Sequence, residues 1–391
     1  MGFFDLQDDL SVMPFVLWLL ECIGLRYGQS WWQFLKFVFC MSWMTVVTLI
    51  PKIFLGYQDE IRMIRGISEL IFEANIVLKL VLFSGYLREF ETLLTIGNRW
   101  YRKTKASSSC KEATLLVSKV NKNCDFFSKF YYLYVMGVVL LFIVFPATTS
   151  VWIHFNQPPN INNTNEYIIF MEQEFYWLDI HRNFSHYWIY APCAMFAYFV
   201  SGYAMILADT VMYCSAKCCS NMFKIVSMRI EQLQCFDPEA RQHELGDIVQ
   251  LHIDALRCMS ILEDIISLSV LCQVICCSLI WCSMAVYFVN SFDANIFNVA
   301  MLFLVLTCET YGMSILGDQL SEDSNEVTRA VYNYPWYEAS LDIQKSLMRM
   351  LQRAQKKVGF TAAGFYFISI ERFAVMVKSS YSIFIVLKDS L

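Results

Sequence analysis

Three runs of this sequence, Phe130–Ile153, Tyr187–Leu207 and Ile265–Val289, carry no charged residue. Each is as long as the about 20 apolar residues that a helix needs to cross a bilayer. In hydrocarbon a segment has to satisfy its own backbone N–H and C=O groups, and an α-helix does so. A water-soluble fold would instead have to bury three helices that have no polar face. Two more runs, Phe34–Pro51 and Ile296–Leu316, are interrupted only by Lys36 and Glu309. Another two are apolar but hold several ionisable residues: Ile67–Tyr86 with Glu69, Glu73 and Lys79, and Val358–Leu387 with Glu371, Arg372 and Lys378. The chain therefore reads as all-α, a polytopic membrane protein of seven transmembrane helices. Its composition agrees, at 57% hydrophobic and 17% charged, against roughly 45–50% and about 25% for soluble domains.

Orientation follows from where the cations lie. Segments 1–30, 87–129, 208–264 and 317–357 hold 21 Lys and Arg, whereas 52–66, 154–186, 290–295 and 388–391 hold 5. Short segments rich in Lys and Arg stay in the cytoplasm, so the N-terminus is expected inside and the C-terminus outside. The acidic start MGFFDLQDDL has no positive n-region, so the first membrane helix is expected to serve as its own insertion signal. The N-x-S/T sequons, at Asn162 and Asn183, both fall in the segment 154–186 assigned to the outside, where glycans are attached. None of the 15 cysteines lies in an outer segment, which suits reduced packing thiols rather than a disulfide framework.

Several function classes drop out. A G-protein-coupled receptor has the opposite orientation, and its D-R-Y and N-P-x-x-Y signatures are absent. The five histidines form no H-E-x-x-H cluster, and there is no P-loop or G-x-S-x-G turn, so no enzyme, metal site or cofactor is expected. His243 and His252 read as members of a solvated face. No basic and aromatic surface suggests nucleic acid.

The segments between runs keep helical periodicity. Ile225, Met228 and Leu233 precede Asp237-Pro238, and Ile248, Leu251, Leu256 and Ile261 follow it, so Pro238 is expected to open a helix that continues into the fifth run. Leu341, Leu347, Met350, Leu351 and Ala354 predict an amphipathic helix before the seventh run. Between them, Gly359 and Gly364 predict a break separating a cytoplasmic segment from a membrane helix over 363–387. One channel-sized unit, 1–391, is expected, with a cytoplasmic anchor within 208–264 and 317–359. The charges within the runs are expected to face protein or water. Mutual pairing is the favoured reading for Lys79, Glu309 and Arg372, and Asp209 is placed at the inner interface without a special role.

The last seventy-five or so residues resemble the C-terminal signature of insect odorant receptors. The matching pieces include Tyr311-Gly312, Ala330-Val331-Tyr332, Trp336-Tyr337, Gln355-Lys356, Thr361-Ala362, Gly364 and Lys378-Ser379-Ser380-Tyr381-Ser382. Lys357 stands where a proline is common, and Ala363 displaces the usual T-A-G triplet. The resemblance implies an odorant-gated, non-selective cation channel in the plasma membrane of olfactory neurons, at their dendrites. It also implies assembly with a common co-receptor as a heterotetramer. The compact stretch between the fourth and fifth runs resembles the tuning subunit rather than the longer co-receptor. A gustatory-type channel of the same fold is the alternative, but its T-Y-x5-Q-F ending is missing.

In that family the agonist pocket lies in the outer half of the bundle, within 67–86, 130–153, 187–207 and 296–316. The expected lining is Phe72, Glu73 and Ile76, then Pro146, Thr149 and Trp152. From the fourth run come Tyr187, Trp188, Ala191 and Met195, and from the sixth Phe297, Met301 and Leu302. Rings, methionines and one hydroxyl suit a small, flat, mostly apolar and aromatic volatile. The pore is expected along Phe373, Val377, Ser380, Phe384 and Leu387, with the gate at Phe384 and Leu387, Ser380 below them and Lys388 at the outer end. The competing reading is that this face packs on the fifth helix.

Overall fold

The computed structural model describes residues 12–25, 28, 30–106, 111–156, 166–290 and 296–390. Asn162 lies outside the described residues, as does the side chain of Leu387. Eleven α-helices run through them: α1 Pro14–Ile23, α2 Trp31–Met44, α3 Ile50–Phe54, α4 Glu60–Gly85, α5 Leu87–Ala106, α6 Lys111–Asn156, α7 Phe184–Gln232, α8 Pro238–Asn290, α9 Ile296–Asn333, α10 Leu341–Ala354 and α11 Ile370–Ser390. Among the described residues five spans are long and apolar enough to cross a membrane, and the pair α4–α5, bent by 69°, makes a sixth. The seventh run is carried by α11, 21 residues that include Glu371, Arg372, Lys378 and Lys388.

The first span is α2 and α3 joined by a π-turn at Thr45–Leu49. The cause is Pro51, which has no N–H to give the carbonyl four residues back. That orphaned acceptor, the Val47 carbonyl, is reached by Gln173 Nε2 at 3.3 Å, and the neighbouring Val46 carbonyl by the Tyr176 hydroxyl at 2.6 Å. The segment before α7, on the side that the lysine and arginine count assigns to the outside and that is called outer on that ground, is thereby pinned onto the first span. Ile169, Phe170, Met171 and Ile180 are buried there against Tyr187, Tyr190, Ala191 and Ala194 of α7. The outer mouth of the bundle is thus filled by its own loop. Asn183 caps α7, its side-chain oxygen accepting from the Ser185 and His186 amides at 3.0 and 3.4 Å.

α6, α7, α8 and α9 have 46, 49, 53 and 38 residues. At about 1.5 Å per residue they reach well beyond the about 30 Å of a hydrocarbon core. Their extensions share one core in which Phe223, Val226, Ile248, Leu251, Leu320, Val327 and Leu347 are buried. The short apolar α1 also packs into it through Val16, Leu19 and Leu20. The solvated reading fails for His252, which is only 4% exposed and sits 6.2 Å from the Phe223 ring. Burial first, and then the Arg353 guanidinium, push its pKa down to about 4. His243 is exposed.

The break before α11 is longer than the spacing predicts: the helix stops at Ala354 and resumes at Ile370, not at 363. Between them Ala362 N donates to the Tyr366 carbonyl at 3.0 Å, and Ala363 and Gly364 turn the chain at φ 47 and 77. Ala363 pays a left-handed penalty that glycine avoids, roughly 1–2 kcal/mol. The turn lies against α9 so closely that a Cβ on Gly317 would fall 2.5 Å from the Ile368 carbonyl oxygen. We expect Ala363→Gly to stabilise by about 1 kcal/mol and Gly317→Ala to destabilise by about 1–3 kcal/mol. Thermal unfolding followed by fluorescence-detected size exclusion checks both signs.

A candidate ligand pocket between two buried ion networks

Four long helices converge without filling the space between them. The space left between them has an empty volume of ≈ 590 Å³, open solvent included. Phe72 and Ile76 of α4 form one wall, and Val135, Val138, Val139 and Phe142 of α6 another. α7 contributes Tyr198, Ser201, Gly202 and Met205, and α9 contributes Met301, Leu302 and Val305. Met171 of the outer loop joins the lining. Gly202 is what lets α6 and α7 approach, since a Cβ there would meet Val139 Cγ2 at 2.6 Å. The polar side chains in the lining are Tyr198 and Ser201, and the Tyr198 hydroxyl is 3.4 Å from that of Tyr190.

Ionisable side chains flank this apolar space on both sides along the helices. On the outer side Arg65 binds Glu69 at 2.9 Å and Glu172 at 3.2 Å. Lys52 lies 3.6 Å from Glu69 and 3.5 Å from Glu73. Glu172 N donates to Glu69 at 2.7 Å, and Lys52 Nζ touches Met171 Sδ at 3.3 Å, so the loop is tied to α4 beside the pocket. Burial raises the Glu172 carboxyl against the pull of Arg65. On the inner side Lys79 pairs with Glu309 and lies 3.6 Å from Asp209, which accepts from the Tyr131 hydroxyl at 2.6 Å. Lys79, Asp209 and Glu309 each stand three or four residues, one helical turn, beyond Ile76, Met205 and Val305. Beside them Asn75 bonds Gln273, whose amide is 3.4 Å from the Thr310 hydroxyl. Pairing is therefore what the structure shows for Lys79 and Glu309. Asp209 has a structural partner that its interfacial placement had denied it. Arg372 instead lies over the Tyr366 ring, 5.7 Å from its centroid.

Of the expected ligand contacts, Phe72, Ile76, Met301 and Leu302 line the cavity. The others lie elsewhere. Glu73 faces Lys52. Pro146 sits in α6 nearer its outer end than the lining residues, and Thr149 spends its hydroxyl on the Phe145 carbonyl at 2.7 Å. Trp152 and Trp188 are 66% and 43% exposed and point away from the bundle interior. Tyr187 and Ala191 are buried beneath the outer loop, with Met195 packed against the same cluster. Phe297 packs against Phe145 with ring centroids 5.0 Å apart and planes tilted by 45°. The cavity thus lies further along the helices than the expected lining, because the loop fills the space beside Tyr187 and Ala191. Of the residues that sequence reasoning missed, such as Phe142, Tyr198 and Met205, Met205 had a signal: it lies one turn outward from the charge at 209.

The pore face also turns. Ser380 is 4% exposed and its carbonyl accepts from Cys282 of α8 at 3.2 Å. Phe373 packs on Trp281 and Tyr311 at 5.7 and 5.3 Å. Within the single subunit Phe373 and Ser380 thus pack on α8, the fifth membrane helix. Val375, Lys378, Ser382 and Ile385 form the opposite, exposed face of α11. Val377 is exposed, Phe384 lies 6.2 Å from the Tyr381 ring, and Lys388 is exposed at the end.

A family model described as 7tm Odorant receptor matches residues 61–381. The chain belongs to this odorant receptor family. Odorant receptor 49a of Drosophila melanogaster is 25% identical over 158 residues, 39% of this chain and 40% of that one. Odorant receptor 67c of the same fly is 26% identical over 215 residues, 54% and 53% of the two. The alignments thus span about half or less of these relatives. The structure of the insect olfactory receptor OR5 from Machilis hrabei in complex with eugenol superimposes with a TM-score of 0.77 at 15% identity, over 96% of this chain and 97% of that one. The seven-transmembrane fold of this olfactory receptor is therefore shared. Membership in a receptor family also accounts for a sequence without catalytic motifs.

Proposed function

We propose that this receptor is the odorant-binding subunit of a heteromeric, odorant-gated cation channel of the plasma membrane. The observation that carries the reading is the apolar cavity between α4, α6, α7 and α9, closed over by Met171 and offering Tyr198 and Ser201 as polar groups. Such a wall suits a small apolar or aromatic volatile with one hydrogen-bonding group, held mainly by buried area. Eugenol, bound by the structurally similar OR5 of Machilis hrabei, has that chemistry and belongs in a first test panel.

The cytoplasmic N-terminus follows from the lysine and arginine count, and the anchor within 208–264 and 317–359 supplies the contacts with other subunits. Supporting that role, Leu341 and Met348 of α10 and Tyr332 and Tyr337 beside it are 68–72% exposed, which singles them out as a contact surface. The exposed face of α11, with Val375, Lys378, Ser382 and Ile385, lines the pore in this reading. Opening requires that ligand occupancy favour one arrangement of α11 over another. Co-expressed with an insect odorant co-receptor, the chain should give currents to members of an aromatic volatile panel, and expressed alone it should give none. Strong odour-gated current from the chain by itself would defeat the tuning-subunit assignment.

A further inference from the structure

A second cavity, separate from the odorant pocket, opens on the flank of the bundle between α6, α7 and α9, with an empty volume of ≈ 980 Å³. Its depth comes from Gly312: a Cβ there would find nothing within 4 Å. Phe127 and Tyr213 stack across it with centroids 4.0 Å apart, and Tyr134 is 40% exposed. The charge-free and near-charge-free runs of α6 and α9 stop at Phe130 and Leu316, only three residues from Phe127 and Gln319 of this cleft. Three residues are about 5 Å of helix, which places that end in the head-group layer outside the about 30 Å core.

That end holds a cation. Lys217 donates to Gln319 and lies over the Tyr213 ring at 5.8 Å, yet among the described residues no carboxylate comes within ion-pair distance of it. Burial holds its ammonium below the ordinary value. Lys224, two turns on along the same face of α7, is shared with Asp323 at 3.8 Å. At the other end of the cleft Asp209 and Glu309 are already taken up by Lys79 and Tyr131.

We propose that this cleft is a binding site for an anionic phospholipid of the cytoplasmic leaflet. One acyl chain fills the slot beside Gly312, and the phosphate meets Lys217. A partly buried ammonium without a carboxylate, an aromatic rim at the interface and an apolar slot open to the bilayer match the parts of such a lipid in order. Interfacial tyrosines and basic side chains at the cytoplasmic face attract anionic head groups. The site lies directly beneath the odorant pocket and shares Val305 of α9 with it. The choice of leaflet rests on the orientation given above.

The test is photo-crosslinking of the full chain, co-assembled with its co-receptor, in vesicles carrying a diazirine-acyl phosphatidylserine or the matching phosphatidylcholine in both leaflets. Because both leaflets carry the probe, an error in orientation does not alter the result. We expect the serine lipid to label peptides around 127–134, 212–217 and 305–319 about fivefold more than the choline lipid, from about 1 kcal/mol for one lysine. Lys217→Gln should bring that ratio to about one. Gly312→Leu, whose side chain enters open space, should suppress labelling by both lipids at unchanged surface level. Equal labelling by the two lipids in the unmodified chain, label confined to other segments, or a ratio that survives Lys217→Gln would each overturn the site.

Discussion

Lys79→Met is expected to be the most damaging single substitution in the membrane bundle. Lys79, Asp209 and Glu309 are nearly buried, with side chains 13%, 11% and 7% exposed, and they come from α4, α7 and α9. Removing the cation leaves two carboxylates facing each other in an apolar setting, with the Tyr131 hydroxyl as the remaining support for Asp209. Breaking a buried pair by deleting one partner costs about 3–5 kcal/mol, a large part of a typical domain's stability. Surface biotinylation should show a collapse in receptor level, and detergent-solubilised protein should unfold at lower temperature. The triple change Lys79→Met, Asp209→Asn and Glu309→Gln removes all the charges together and should recover most of the loss. A single Lys79→Met variant at normal level and stability would show that the network is solvated rather than structural.

The same three residues explain what the sequence disclosed and what it hid. Charge-free runs mark spans because hydrocarbon imposes one requirement on every residue in them, and so the helices around Phe130–Ile153, Tyr187–Leu207 and Ile265–Val289 were legible. An isolated charge in such a run announces a partner without naming it. Lys79 and Glu309 were expected to pair, but Asp209, sitting two residues past an apolar run, read as an interfacial residue. Only the packing of α4, α7 and α9 brings it to Lys79. Segments governed by short-range sterics were harder. The helix α1 has ten residues, too few to stand out as a span. At the break before α11, Gly359 and Gly364 were visible, whereas the hairpin that delays the helix to Ile370 depends on contacts with Gly317 and Ser267.

The outer loop is what separates the expected ligand contacts from the lining of the cavity. Nothing in Tyr167–Phe175 distinguishes a segment that folds into the bundle from one that lies over it. Its anchors are non-local: Gln173 on the carbonyl that Pro51 leaves free, and Glu172 on Arg65. With that volume occupied, the open space between the helices lies further along them than the expected lining, and the rings placed at the rim support the loop or are exposed. The gate face shows a similar limit. A helix with apolar residues on most sides does not reveal from sequence which stripe meets α8, and Ser380, the small polar residue chosen for the pore, is the one that packs.

Alanine substitutions should therefore separate the two positions of the pocket. Phe142→Ala and Tyr198→Ala remove large side chains from the cavity wall, and each lost contact surface is worth about 1.5–3 kcal/mol when fully buried against a ligand. Agonist potency of the co-receptor complex should fall about 10- to 150-fold for each, by the tenfold per 1.4 kcal/mol relation. Tyr198→Ala also breaks the contact with the Tyr190 hydroxyl, so Tyr198→Phe serves as its control and should retain most of the potency. Trp152→Ala and Trp188→Ala alter exposed rings outside the cavity and should change potency less than about twofold, within the roughly 0.5 kcal/mol typical of surface substitutions. Dose–response curves for a panel of aromatic volatiles, normalised to surface level, provide the measurement. The reverse ranking, with the two tryptophans decisive and Phe142 silent, would move the agonist to the outer rim and leave the inner cavity without a role in recognition. A ranking led by Phe142 would place the ligand in the cavity lined by Met301, Leu302 and Val305 of α9, where its bulk presses on the helix whose Tyr311 packs on Phe373 of α11.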